Sequence, residues 1–197
     1  YSRNEGQDLS IGEVSQPGLR DALLDTDPAT AFNAFGGFFR QNTAAARARV
    51  YVTLHNSGEY ELPIGYATIN GDLFNLPAGP VSFAIGGEYD APRFTRDRDA
   101  LNNTFNTIGS TDGQSFRVNR DIWGIYEELR IPVTSPTWNF PGFYSFEIDF
   151  AEREEWYSNN TSTVLPSGVF PGQGATHSRY NAQKPKFSVR WQPLDPK

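Results

Sequence analysis

Tyr144-Ser145-Phe146-Glu147-Ile148-Asp149-Phe150-Ala151-Glu152-Arg153 alternates large apolar residues with small or charged ones. Successive side chains of a strand point to opposite sides. Tyr144, Phe146, Ile148 and Phe150 therefore share one face, and Ser145, Glu147, Asp149, Ala151 and Arg153 the other. The pattern recurs on both sides. Val81, Phe83, Ile85 and Tyr89 oppose Ser82, Ala84, Gly86 and Glu88. In residues 118–133, Trp123, Ile125, Leu129, Ile131 and Val133 oppose Tyr126, Glu128 and Arg130, with Glu127 interrupting the apolar side. Residues 186–192 set Phe187, Val189 and Trp191 against Ser188 and Arg190.

The connections alternate in length. Leu76-Pro77-Ala78-Gly79-Pro80 is a tight turn and residues 133–142 a compact one, whereas 91–117 and 157–184 are long and rich in Asn, Asp, Ser, Thr and Gly. Strands of about ten residues with short turns at one end and long loops at the other are what an outer-membrane β-barrel requires. The expected fold is thus all-β: antiparallel up-and-down strands forming part of a transmembrane barrel, with long extracellular loops and short periplasmic turns. A soluble β-sandwich makes the same alternation with its apolar face inward. Aromatics near strand ends (Tyr89, Trp138, Phe140, Phe143, Tyr144, Trp156, Tyr157, Trp191) favour the barrel, where they form an interfacial girdle.

Composition narrows the function classes. Aromatic residues make up 14% of the 197, with 18 Gly and 14 Pro, a bias toward strands and turns. A net charge of −6 argues against nucleic acid, which is bound by neutralising phosphates. The absence of cysteine removes disulfides and thiolate chemistry. No stretch of 18 apolar residues offers a membrane helix, but a barrel strand needs only about 9–11 residues, half of them free to be polar. The N-terminus has no signal-peptide character.

Residues 1–61 are expected to be an extracellular loop region, mostly irregular up to residue 46. Residues 19–24 and 43–48 have the composition of short helical turns, and residues 50–54 are either a strand or a continuation of the second helix. Residues 62–197 are expected to be one partial barrel domain.

Five stretches carry a family resemblance. Ala31-Phe32-Asn33-Ala34-Phe35-Gly36-Gly37 resembles an "AFNPFGG" loop; Gly71 to Val81, then Gly86-Gly87-Glu88-Tyr89, resembles "G-x-L-x-x-L-P-A-G-x-V … G-x-E-Y-R". Tyr126-Glu127-Glu128-Leu129-Arg130-Ile131-Pro132-Val133 resembles "Y-x-E-L-x-I-P-L", and Ala151-Glu152-Arg153-Glu154-Glu155-Trp156-Tyr157-Ser158 resembles "A-x-R-x-D-x-Y-S". Pro185 to Pro193 resembles "P-K-x-x-x-R-W-x-P". In this order they resemble the barrel region of a TonB-dependent outer-membrane receptor. That family has a plug domain and a barrel of about 22 strands. No plug or TonB-box-like segment is seen here, so the expectation is a middle section of four or five strands. The resemblance implies uptake of a scarce nutrient (siderophore, cobalamin or oligosaccharide) across the bacterial outer membrane, with partners in the remaining strands, the plug, a TonB-type energy-coupling protein and outer-membrane lipid. The rival is a soluble or surface β-sandwich that binds carbohydrate.

Candidate ligand contacts are the loop aromatics Phe94, Phe105, Tyr157 and Tyr180, which are suited to stack on a sugar or chelate. Glu128, Arg130, Glu147, Asp149, Arg153 and Arg190 are expected to line the lumen as a ladder of cross-strand ion pairs. No catalytic residue, cofactor or metal is expected. Glu152 and Glu154 share a face as a hydrolase pair would, but fit a solvated strand end above the membrane. Asp97-x-Asp99-x-x-Asn102 lacks the third oxygen ligand and the glycine of a calcium loop. His55 and His177 have no zinc-site spacing.

Overall fold

The computed structural model describes residues 1–109, 113–164 and 174–195. Its elements, in chain order, are β1 (Ser2–Ser15), α1 (Gln16–Leu23), α2 (Ala44–Val50), β2 (Tyr51–Leu62), β3 (Ile64–Leu76), β4 (Gly79–Asp90), β5 (Arg93–Asp97), α3 (Ala100–Asn103), β6 (Thr107–Ile108), β7 (Ser115–Thr134), β8 (Ser145–Val164) and β9 (Thr176–Gln192). The fold is all-β, and the long strands are antiparallel to their neighbours.

Two prolines divide what are physically single strands. Glu61 stands opposite Arg93 and Ile64 opposite Asp90, the same register on both sides of Pro63. The Pro63 carbonyl accepts the Ala91 N–H at 3.0 Å. Likewise Asp90 opposes Ile122 and Arg93 opposes Asn119, and the Pro92 carbonyl accepts the Arg120 N–H at 3.0 Å. A proline removes one donor from a ladder without shifting its register. β2 with β3 and β4 with β5 thus run as continuous strands, and the sheet is a meander in chain order: β1, β2–β3, β4–β5, β7, β8, β9. The edges of β3 and β9 away from this meander have no strand partner among the described residues.

The connections obey the expected asymmetry. Pro77-Ala78 and residues 135–144 close one end; residues 16–50 and the described residues of 98–114 lie at the other. The strands, however, reach further than the alternation predicts. β8 extends to Val164 and β9 starts at Thr176, so much of the expected 157–184 loop is strand, and residues 165–173 lie outside the described residues. In the expected 91–117 loop, β5, α3 and β6 intervene, and residues 110–112 lie outside the described residues.

Residues 2–15 are a strand, not an irregular segment. β1 pairs with β2 from Ser2 opposite Leu62 to Val14 opposite Tyr51, with one bulge at Gly12, whose φ of +83° suits glycine. From Ser2 to Asp8 its side chains are polar on both faces, and only Leu9 and Ile11 alternate with polar neighbours, too short a run to read as a strand. Backbone pairing with β2 makes it a strand. The helices do fall where the composition placed them. Ser15 caps α1 by accepting the Gly18 N–H, and Thr43 caps α2 by accepting the Ala46 N–H. At eight and seven residues they are too short to persist alone. Their Ala22, Ala46 and Val50 bury with Leu54 of β2 as a small core at the long-connection end. β2 begins directly after Val50, which resolves residues 50–54.

Where the sheet is widest its two faces differ sharply. The apolar face carries Phe83, Ile85, Trp123, Ile125, Leu129, Phe150, Phe187, Val189 and Trp191, and no second layer covers it: Trp123 is 58%, Ile125 54% and Phe187 60% exposed. The polar face is tightly interlocked. Tyr126 lies flat over Gly86, where a Cβ would stand inside its ring, and its hydroxyl meets that of Thr68.

Gly86→Val is expected to destabilise the sheet by about 1–3 kcal/mol through overpacking. In the Gly86→Val/Tyr126→Ala double variant much of that loss should be recovered, a coupling that urea unfolding of the four proteins reads. A second expectation concerns Asp25, after α1. Its carboxylate accepts the Asp27 N–H at 3.0 Å and the Thr30 hydroxyl at 2.7 Å, and pairs with Arg49 of α2. The Asp27 N–H above all, then Thr30 and Arg49, hold its pKa down to about 2 from the ordinary 3.8. A depressed carboxylate stabilises above its unfolded pKa and loses that contribution as pH falls through the folded value. NMR titration should place the Asp25 midpoint near 2, with loss of the α1–α2 latch between about pH 4 and pH 2; Arg49→Leu should raise the midpoint.

Candidate functional site

The polar face divides into two zones. In the zone nearer the short turns, charges are paired across strands. Arg130 meets Asp149 at 3.2 Å and Arg190 meets Glu147 at 3.6 Å. Arg153 bridges Glu88 and Glu155, the latter at 2.7 Å. Glu155 also accepts from Lys184 at 2.5 Å and from the Tyr157 hydroxyl at 2.7 Å, and its side chain is only 8% exposed. Glu128 lies on this face opposite Ala84 and Ala151 and makes no ion pair among the described residues. The six residues expected to line one face do share it. Glu88, Glu155 and Lys184 are the members that sequence reasoning missed. Glu155 was accessible, two residues from Arg153 on the same strand; Glu88 and Lys184 needed the register.

In the zone nearer the long connections, the polar face changes character. Tyr60 stands opposite Phe94, and Phe94 packs on Phe116 with ring centroids 5.6 Å apart. Tyr157 and Tyr180 are direct cross-strand partners, stacked 4.5 Å apart with rings 14° from parallel. Arg120 donates to Asn159 at 2.6 Å, and Asn159 to Ser178 at 3.2 Å. Three of the four expected ligand contacts, Phe94, Tyr157 and Tyr180, therefore project from the same face. They do so from strands rather than from loops, because the ladders continue past the point where side-chain alternation fades. Phe105 is not on this face; it belongs to the turn after α3, with φ +57°.

This zone also holds a shallow, open hollow of about 280 Å³ lined by Asn4, Gly6, Asp8, Tyr60, Phe94 and Arg96. Gly6 stands directly opposite Gly58, which leaves a patch of bare backbone. Arg96 extends along Gly58, with Nη1 3.6 Å from where a Cβ would stand, and Nη2 reaches Asp8 at 3.7 Å. Its buried Nε has no hydrogen-bond partner among the described residues. Of these residues Phe94 alone stood out in the sequence; Asn4, Gly6 and Asp8 meet it only through the pairing of β1 with β2.

The apolar face offers a larger furrow, about 850 Å³, lined by Phe83, Ile85, Leu129, Phe150 and Phe187 among others. It lies among exposed aromatic side chains and carries few polar groups. Glu127 and Glu152 oppose each other across β7 and β8 at its edge, and Gln183 donates to Glu152. Glu152 and Glu154 thus sit between Trp156 and Phe150 on the apolar face, not at a solvated strand end. Like charges directly opposed destabilise a sheet. The Asp97–Asn102 segment is structural. Asp99 caps α3 by accepting the Leu101 N–H at 3.0 Å, and its second oxygen accepts the His55 N–H at 3.3 Å. Among the described residues no acidic or histidine cluster is arranged to hold a metal.

The chain matches no protein-family model, no curated protein and no solved structure. The geometry of the two faces is therefore what informs function.

Glu155 is the hub of the charged zone, so Glu155→Gln should cost about 1–3 kcal/mol in denaturant unfolding, by leaving donors without their charged acceptor. Lys184→Ala, at the exposed end of the same network, should cost no more than about 1 kcal/mol.

Proposed function

We propose that this chain is a section of the wall of a TonB-dependent outer-membrane receptor that imports a scarce nutrient, such as a siderophore, cobalamin or an oligosaccharide. The single observation that carries the proposal is the uncovered apolar band and its height. On β8 the band runs from Trp156 to Phe146, interrupted by Glu154 and Glu152, and on β7 from Trp123 to Val133, interrupted by Glu127, eleven residues and ten steps in each case. At about 3.3 Å per residue and a strand tilt of about 40°, ten steps span about 25 Å along the membrane normal, the height of the lipid-facing band of such barrels. Aromatics bound it at both ends: Tyr89 with Trp123, ring centroids 4.3 Å apart, and Trp156 at one, and Phe143 with Trp191, 6.0 Å apart, at the other.

Beyond Trp123 and Trp156 the same face turns polar, with Asp121, Ser158 and Arg179 in the next row. In the proposed setting this marks the emergence of the strands from the bilayer into the extracellular space. The polar face then looks into the lumen, where a plug and the nutrient would pass. The unpaired edges of β3 and β9 would join the remaining strands of the same receptor, since open edges are aggregation hazards. Opening the path would fall to the plug and a TonB-type energy-coupling partner. The carbohydrate-binding sandwich needs the apolar face packed against a second sheet, and among the described residues that face is exposed.

The test is tryptophan fluorescence in vesicles of lipids with brominated acyl chains. Trp123, Trp156 and Trp191 should be strongly quenched relative to vesicles of ordinary lipid. A chain that is monodisperse in plain buffer and unquenched in such vesicles would overturn the proposal.

A further inference from the structure

We infer that the hollow on the polar face of β1, β2 and β5 is a subsite for one ring of a neutral glycan. This rests on the receptor proposal and deepens it by naming the class of nutrient. Three features of the site converge. First, the paired Gly6 and Gly58 leave a floor of backbone whose amide groups are already committed to the β1–β2 ladder, so it is flat and makes no polar demand of its own. A Cβ on Gly6 would meet nothing within 4 Å, so this absence of a side chain is not required by packing. Second, Tyr60 and Phe94 stand side by side at one edge. The electron-rich face of an aromatic ring attracts the weakly positive C–H face of a pyranose. Third, Asn4, Asp8 and Arg96 supply an amide, a carboxylate and a guanidinium, which between them donate to and accept from ring hydroxyls.

Charge disfavours an anionic iron chelate at this position. Such a ligand calls for a cluster of cations; the one guanidinium here is shared with Asp8, which leaves the site neutral overall. The hollow, about 280 Å³ and open to solvent, is of a size to seat a single six-membered ring. The stacked Tyr157–Tyr180 pair lies on the same face two strands further along and four residues nearer the short turns. At about 4.8 Å per strand and 3.3 Å per residue this is roughly 16 Å from Phe94, a second platform for a later unit of an extended chain.

The test uses the full chain in mild detergent against an immobilised panel of neutral and acidic oligosaccharides, with a ferric tris-catecholate as the competing probe. At least one neutral glycan should bind. Tyr60→Ala and Gly6→Val should each weaken that binding at least tenfold, the first by removing the platform and the second by filling an open hollow without a clash. Tryptophan quenching by brominated lipid should be unchanged in both variants, which reports that the fold is intact. Binding of the catecholate with no glycan bound would overturn the inference, as would glycan binding that survives both substitutions, or no glycan binding at all. A chain that binds no glycan yet is quenched by brominated lipid overturns the subsite alone, while loss of quenching in the unmodified chain overturns the receptor proposal.

Discussion

Backbone hydrogen bonding between antiparallel neighbours fixes which side chains share a face, and a slip of one residue in any ladder would exchange the faces of a whole strand. That constraint governs this protein. Pro63 and Pro92 each delete a donor, yet the register on either side of both is the same. The strand built from β2 and β3 and the one built from β4 and β5 consequently keep a single polar side from end to end. Had either proline introduced a bulge, Tyr60 and Phe94 would have pointed away from Tyr126 and Arg153. The separation of an aromatic zone from a charged zone on one continuous surface depends on that uninterrupted count.

The two faces are stabilised by different physics. On the polar face, specific pairs interlock: Arg153 joins β8 to β4 through Glu88, Glu155 gathers Lys184 and Tyr157, and Tyr126 covers Gly86. Most of these contacts are partly exposed, so each contributes little to stability beyond fixing neighbours in position. On the apolar face such pairs are few among the described residues: Gln183 donates to Glu152 and Tyr89 to Asp121. Phe150 lies against Phe187 at 5.1 Å and Tyr89 against Trp123 at 4.3 Å, but the outward sides of these rings meet no protein. In the proposed setting, burial against hydrocarbon is the term that remains. Glu127, Glu152 and Glu154, all on the apolar face, work against this.

The change of chemistry along the polar face has a functional meaning in the proposed setting. There the charged pairs of the lumen satisfy one another, with Glu128 left outside any ion pair among the described residues. Near the long connections the same face offers aromatic rings, amides and hydroxyls with few charges. A ligand arriving from that end meets the weakly polar, stacking surface first. The 98–114 connection lies above this zone, where Asp99 takes the His55 N–H and donates its own N–H to Asn56.

Alternation along β4, β7, β8 and β9 was legible in the sequence, because a sheet with one apolar face must place large residues at every second position. The two-residue turn at Pro77-Ala78 and both short helices were also legible, through local turn and helix chemistry. Strand β1 was not: its first seven residues are polar on both sides and leave no period, and its existence depends on a ladder with β2. The same holds for the ligand-facing candidates. Phe94, Tyr157 and Tyr180 could be named from their residue type, but their projection from one face required cross-strand register, as did the meeting of Gly6 with Gly58. Residue types and their spacing determined that this chain makes two-faced antiparallel strands. Only the tertiary structure decided which residues from distant strands stand together, because register is set by pairing between segments and not within any one of them.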